Sequence, residues 1–195
     1  MAINHNLRFA RPNRNRFSDS FSLERRVWVN PIDQQEFSVS HLSPSFMRIR
    51  YVKNGEQREV NARVTYSHHC YTREMTPMDD ERLHVVTEFY RQREKRRMFD
   101  DQRWSYSHAL PELMSKIQNM PCKRDADNQV VIHFASRDAN YPQIGWYTFI
   151  RIQVDPRYPD VLQLEVRTTH RRNSDPSTIP YPIRFSQHLA SLLND

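Results

Sequence analysis

Between residues 67 and 73 the chain reads Ser-His-His-Cys-Tyr-Thr-Arg, and no other ten-residue stretch combines two histidines, a tyrosine and an arginine. Histidine titrates near neutrality, tyrosine can donate a proton, and arginine can stabilise an anionic phosphorane. His68, His69, Tyr71 and Arg73 are therefore the candidate catalytic set for metal-independent cleavage of an RNA phosphodiester. There the internal 2′-hydroxyl is the nucleophile, so the protein need supply only a base, an acid and a cation, and no cofactor is expected. Small basic ribonucleases of toxin or defence type work with sites this sparse, an analogy of class and not of family.

The same residues raise zinc. On an extended chain His68 and Cys70 point one way, and His69 and Tyr71 the other. One face then offers two ligands where a tetrahedral site needs three or four. Cys122, His84, His108 or His133 can complete it, but no CxxC or HxxxH spacing is present, and no metal is assigned. The plainer reading of the cluster is one packed side chain with the others polar at the surface.

A second constellation is Arg151, Glu165 and Arg167, followed by His170, Arg171 and Arg172. A carboxylate among arginines is held ionised, so Glu165 serves as an ion-pair partner or a weak base. With Tyr147 and Phe149 on the same side of the strand, this face can bind phosphates and stack a base. It can equally be an ordinary sheet surface, with Phe149 packed beneath a helix. Asp79-Asp80-Glu81 and Asp100-Asp101 lack the further carboxylate and strand lysine of a two-metal nuclease site, and read as helix caps.

These side chains need a scaffold, and two hairpins supply it. Asn54-Gly55 between alternating runs is the signature of a two-residue type I′ turn. With those two at the turn, Ile49 faces Val60, Met47 faces Ala62 and Ser45 faces Val64, while Arg50 faces Glu59 on the other side. One register satisfies both faces, which fixes strands over residues 46–52 and 58–67. The later hairpin spans residues 145–154 and 161–170, with Val154 opposite Leu162 and Arg151 opposite Glu165; residues 130–135 form a short strand joining it.

Helices are fewer. Asp100-Asp101 can cap a helix over about residues 101–117, kinked or restarted at Pro111, and residues 186–193 form a short C-terminal helix. Residues 83–90 fit a helix or a strand, residues 91–97 form a charge run at a helix end or hairpin tip, and residues 171–182 read as an exposed loop. The fold class expected is α+β: a mostly antiparallel sheet of two hairpins (about 46–67 and 145–170), one central helix (about 101–117) and a short C-terminal helix.

Composition bounds the rest. The chain has 195 residues, enough for one domain, and only two glycines, which excludes Gly-rich phosphate loops and dinucleotide fingerprints. Two cysteines make no disulfide framework, so a cytoplasmic setting is expected. The net charge is +6, carried by 25 Arg and 4 Lys, and residues 1–30 alone hold +4 of it. Arginine grips phosphate bidentately, which favours nucleic-acid partners, RNA rather than DNA; a GC-rich genome gives the same excess. Residues 1–20 are expected to be a basic, flexible arm and residues 21–195 one globular domain. Arg8, Arg11, Arg14 and Arg16 of the arm, with Arg151, Arg167, Arg171 and Arg172, are the candidate nucleic-acid contacts. The reading that follows is a small basic protein that binds RNA, with metal-independent endoribonuclease activity. The alternatives are a non-catalytic assembly subunit docking nucleic acid or an acidic protein through the arm, and a zinc-stabilised binding module.

Overall fold

The computed structural model describes residues 15–90, 93–127, 129–134, 145–155, 157–177 and 181–193. In chain order the strands before the helices are β1 (Arg16–Phe17), β2 (Phe21–Ser22), β3 (Val27–Val29), β4 (Glu36–Ser38), β5 (Ser45–Lys53), β6 (Glu56–Tyr66), β7 (Thr72–Glu74), β8 (His84–Tyr90) and β9 (Arg93–Phe99). Helices α1 (Asp101–Ser107) and α2 (Leu110–Ser115) follow, then β10 (Pro121–Arg124), β11 (Val130–Phe134), β12 (Gly145–Asp155), β13 (Tyr158–Arg172), β14 (Ile183–Arg184) and α3 (Phe185–Leu192). The fold is α+β, with strands dominating.

The first hairpin forms as its sequence dictates. Asn54 and Gly55 take φ of 51° and 82°, the left-handed values a type I′ turn requires. Arg50 stands opposite Glu59 and Ile49 opposite Val60. The Arg50 Nε–Glu59 Oε1 pair, at 2.7 Å, is exposed. Solvent and salt screen such surface pairs, which contribute little. Burial of Ile49, Val60, Ala62 and Val64 contributes more than the ion pair and sets the register.

In the second hairpin, Arg151 pairs with Glu165 and Val154 with Leu162, until a bulge between Phe149 and Ile150 shifts the register. The two hairpins meet along β13 and β6, which run parallel, Leu162 beside Ala62 and Val166 beside Tyr66. This seam joins them into a seven-stranded sheet of order β14-β10-β11-β12-β13-β6-β5. Ile49, Val60, Val64, Ile150, Leu162, Leu164 and Val166 share one core with Leu110, Leu113 and Leu189 of the helices.

The central helix is two helices. The Asp100 side chain accepts from the Arg103 amide at 2.9 Å, capping α1, and the chain restarts as α2 with Pro111 in its first turn. Asp80 accepts from the Arg82 amide and caps a 3-10 turn, Glu81–Leu83. Residues 84–90 resolve as strand. A bulge between His84 and Val86 buries both Val85 and Val86, which is why alternation alone left this segment ambiguous. The charge run belongs to β9, which starts at Arg93 opposite Tyr90: Arg93, Glu94 and Arg96 are exposed, and Arg97 is 5 % exposed. The expected loop at 171 begins two residues later, because β13 extends through Arg172.

The four-stranded sheet, ordered β1-β8-β9-β7, starts inside the basic arm. Arg16 pairs with Thr87, Phe17 with Val86, and the Phe17 ring stacks on Phe21 at 4.7 Å. A boundary drawn at residue 20 therefore falls within packed structure, while Arg8, Arg11 and Arg14 lie outside the described residues. Among the described residues no helix is long and apolar enough to cross a membrane.

Two histidines, His188 and His41, tie this fold to pH. His188 of α3 is 1 % exposed, and burial, then the neighbouring Arg124, lowers its pKa to about 4. His41 stacks on His108 at 3.8 Å and is likewise lowered to about 4, by burial, His108 and Arg26. Both are neutral when folded, and the unfolded chain takes up their protons first as pH falls. Their contribution is therefore complete above pH 6.5 and disappears between 6.5 and 4. The expected outcome is an unfolding free energy flat from pH 8 to 7 that falls on acidification, by up to about 1.4 kcal/mol per pH unit for each proton taken up. Urea titrations across that range check it, and His188→Gln should make the fall shallower.

Candidate functional site

The cluster at residues 67–73 is not extended. Ser67 caps a 3-10 turn spanning His68–Cys70, its hydroxyl accepting from the His69 amide at 3.3 Å. Two anchors hold the turn. The Ser67 amide donates to the Val166 carbonyl of β13 at 2.9 Å, and Arg103 of α1 donates to the carbonyls of His69 and Thr72 at 3.2 and 3.0 Å. The turn is thus held between the large sheet and the helix, and winding it up changes which side chains meet. His68 and His69 come to the same side; Cys70 points away, its thiol donating to the Val166 carbonyl at 3.6 Å.

Both imidazoles converge on Glu88 of β8. His68 Nε2 lies 2.5 Å from Glu88 Oε1, and His69 Nε2 bonds the same oxygen. The other carboxylate oxygen faces Arg97 Nη1 at 3.7 Å. Arg97 in turn donates to the Thr72 hydroxyl and carbonyl, each at 2.9 Å, and the Thr72 hydroxyl donates to the His68 carbonyl at 2.8 Å. From the far side the Asn15 side-chain amide reaches His68 Nδ1 at 3.3 Å. That amide donates, so Nδ1 accepts and the His68 proton sits on Nε2, aimed at Glu88.

The electrostatics follow from burial. Burial pushes the Glu88 carboxyl up, but hydrogen bonds from His68 and His69 outweigh it and leave the group ionised and well below the carboxylate range. Burial lowers both imidazoles, His69 to about 4, despite the opposing pull of Glu88. At neutral pH the site is one carboxylate, two neutral rings and the Arg97 cation.

His69 also lines an open cleft of about 190 Å³. Arg167, Thr168, His170 and Arg172 of β13 line it with Phe149, and Asp125, Asp127 and Gln129 complete the lining. His170 stacks on Phe149 at 5.2 Å, and its Nε2 accepts from Arg172 Nε at 2.7 Å. Burial, then Arg172, Arg103 and His69, lower His170 to about 4. Phe149 is buried under this ring and the Arg172 guanidinium, 5.1 Å from it, and so belongs to the wall of the cleft.

Of the residues singled out in the sequence, His68 and His69 meet at Glu88, and Arg167 and Arg172 join His69 at the cleft. Tyr71 does not join them. It is 5 % exposed among Phe21 and Phe99, and burial pushes its hydroxyl far above the usual value. Arg73 turns to Asp79, with contacts of 2.8 and 2.5 Å. Arg16 is exposed on β1, Arg151 pairs with Glu165 at 3.8 Å, and Arg171 is exposed opposite Trp146. Glu88 and Arg97 do not stand out in the sequence as site residues. Their one signal there is an acid in phase with buried Val86, two residues from it along the strand, with an arginine on the paired strand.

Arg97→Met should cost about 3–5 kcal/mol, because it leaves the Glu88 carboxylate without its cation in a nearly closed site. Chemical denaturation at pH 7 measures this; a cost under 1 kcal/mol would mean that Glu88 does not depend on Arg97.

Residues 25–193 match the family model described as the YjaZ family. No curated protein matches the chain, and no solved structure does. The matched span takes in the turn, Glu88, Arg97 and the whole of the cleft, and by that match the chain belongs to the YjaZ family.

Proposed function

We propose that this protein binds RNA and cleaves it without a metal, at the cleft between His69 and β13. The observation that carries the proposal is the convergence of two imidazoles, His69 and His170, with two guanidiniums, Arg167 and Arg172, on one open cleft of about 190 Å³. That volume is below the roughly 300 Å³ at which drug-sized ligand pockets begin. It suits a phosphodiester and its adjoining ribose while the strand continues over the surface.

His69 Nε2 is engaged by Glu88, which leaves Nδ1 for substrate. Glu88 accepts the Nε2 proton, so Nδ1 carries the lone pair and can take the proton of a 2′-hydroxyl. The freed alkoxide attacks phosphorus. Arg167 and Arg172 match the charge that grows on the equatorial oxygens. His170 is the acid: an arriving phosphodiester draws Arg172 off His170 Nε2, and its negative charge raises the affinity of the ring for a proton. That proton goes to the departing 5′-oxygen, leaving a 2′,3′-cyclic phosphate. His68 touches no substrate here and acts through Glu88 as a positioning residue.

Incubation with single-stranded RNA in EDTA should give 2′,3′-cyclic phosphate ends. His69→Ala and His170→Ala should each lower the rate by about 10²–10⁴. RNA bound but left intact would reduce the function to binding, and full cleavage by both variants would remove the mechanism.

The arm is tested separately. Removing residues 1–14 takes away Arg8, Arg11 and Arg14. The slope of log affinity against log salt should then fall by up to about 2 for single strands. An unchanged slope excludes those arginines as phosphate contacts.

A further inference from the structure

We propose that His68, His69 and Glu88 reversibly bind one zinc-class divalent ion, and that the ion switches the cleft off by moving the His69 proton to Nδ1. The switching half rests on the RNA-cleaving reading given above; the binding half does not.

The donor atoms carry the first half. One nitrogen from each imidazole and one Glu88 oxygen all lie within 4.8 Å of one another. A tetrahedral zinc site with bonds of about 2.0–2.1 Å sets its ligand atoms roughly 3.4 Å apart. The three atoms therefore reach that geometry by small side-chain shifts, with no change of backbone. Two nitrogens and one oxygen suit zinc and its neighbours, whereas calcium and magnesium need more oxygens than one carboxylate gives. Cys70 is directed at Val166 and supplies no ligand, so the fourth position is open.

The surroundings set access and strength. The His68 side chain is 5 % exposed, Glu88 15 % and His69 24 %, so the site opens on its His69 side, the side that lines the cleft. Asn15 lies against His68 Nδ1 and can turn its carbonyl oxygen there once that nitrogen carries the proton. Arg97, 3.7 Å from the second Glu88 oxygen, opposes a dication. The ion is thus held less tightly than a permanent structural zinc, which suits an ion that comes and goes.

The second half follows from proton bookkeeping. A neutral imidazole has one N–H. A metal on Nε2 uses that nitrogen's lone pair, so the proton must sit on Nδ1. Without metal, Glu88 keeps the proton on Nε2 and the cleft receives a base. With metal, the cleft receives an N–H donor in its place, and no proton is released overall.

Titration of the full chain with zinc chloride, followed calorimetrically, should show one ion bound, with affinity at least tenfold weaker in both Glu88→Gln and His69→Ala. Nitrogen-15 spectra of the histidine rings should show His69 Nδ1 becoming protonated on binding. RNA cleavage should fall in step with occupancy and return on adding EDTA. Affinity retained in both variants overturns the site. An Nδ1 that stays unprotonated, or a zinc-saturated protein that cleaves at full rate, overturns the switch. Zinc bound as described by a protein that never cleaves RNA refutes the RNA-cleaving reading and the switch together, and leaves the metal site standing.

Discussion

The buried carboxylate of Glu88 is the point on which the site depends. It accepts from two imidazoles at one oxygen and faces a guanidinium at the other, with only 15 % of its side chain exposed. An ion in that position is unfavourable unless compensated, and each compensating group must itself be held. Arg97 is held by Thr72, Thr72 by the His68 carbonyl, and His68 by Asn15. The chain of contacts closes on itself across the 3-10 turn, β7, β8 and β9, with Asn15 beside β1 bracing it from outside. Few of its members can change alone.

The larger sheet contributes the opposite wall. β13 is long enough to do two things: its middle pairs with β6 and buries Leu162, Leu164 and Val166, while its end carries Arg167, His170 and Arg172 to the cleft. The bulge between Phe149 and Ile150 falls where one role gives way to the other. Bulges commonly re-aim side chains next to functional sites, and here the pairing shift coincides with that change of role.

Both hairpins were legible in the sequence because each had a local determinant. Asn54-Gly55 set one turn, and matching apolar phases set both registers. The histidine pair was legible as chemistry but not as geometry. An extended reading separates His68 from His69, whereas the 3-10 turn brings them to one carboxylate, and no residue within the turn names Glu88. Tyr71 and Arg73 were drawn into the site by nearness in sequence. The first is spent on aromatic packing and the second on Asp79. What decided those fates was contact with segments far along the chain, which pattern at short range does not carry.

The parallel pairing of β13 with β6 places Leu162 beside Ala62. Each hairpin can close through a short loop, on a timescale of about 1–10 μs. The seam between them must bring together segments about a hundred residues apart, and that entropic cost is met before any contact across it is gained. His69 belongs to a turn that follows β6, and the arginines of the cleft to the end of β13, so no fragment holding a single hairpin contains both walls. On the ribosome β6 emerges long before β13 is made. The cleft is therefore a late product of synthesis and folding, and a chain stalled halfway has the first wall without the second.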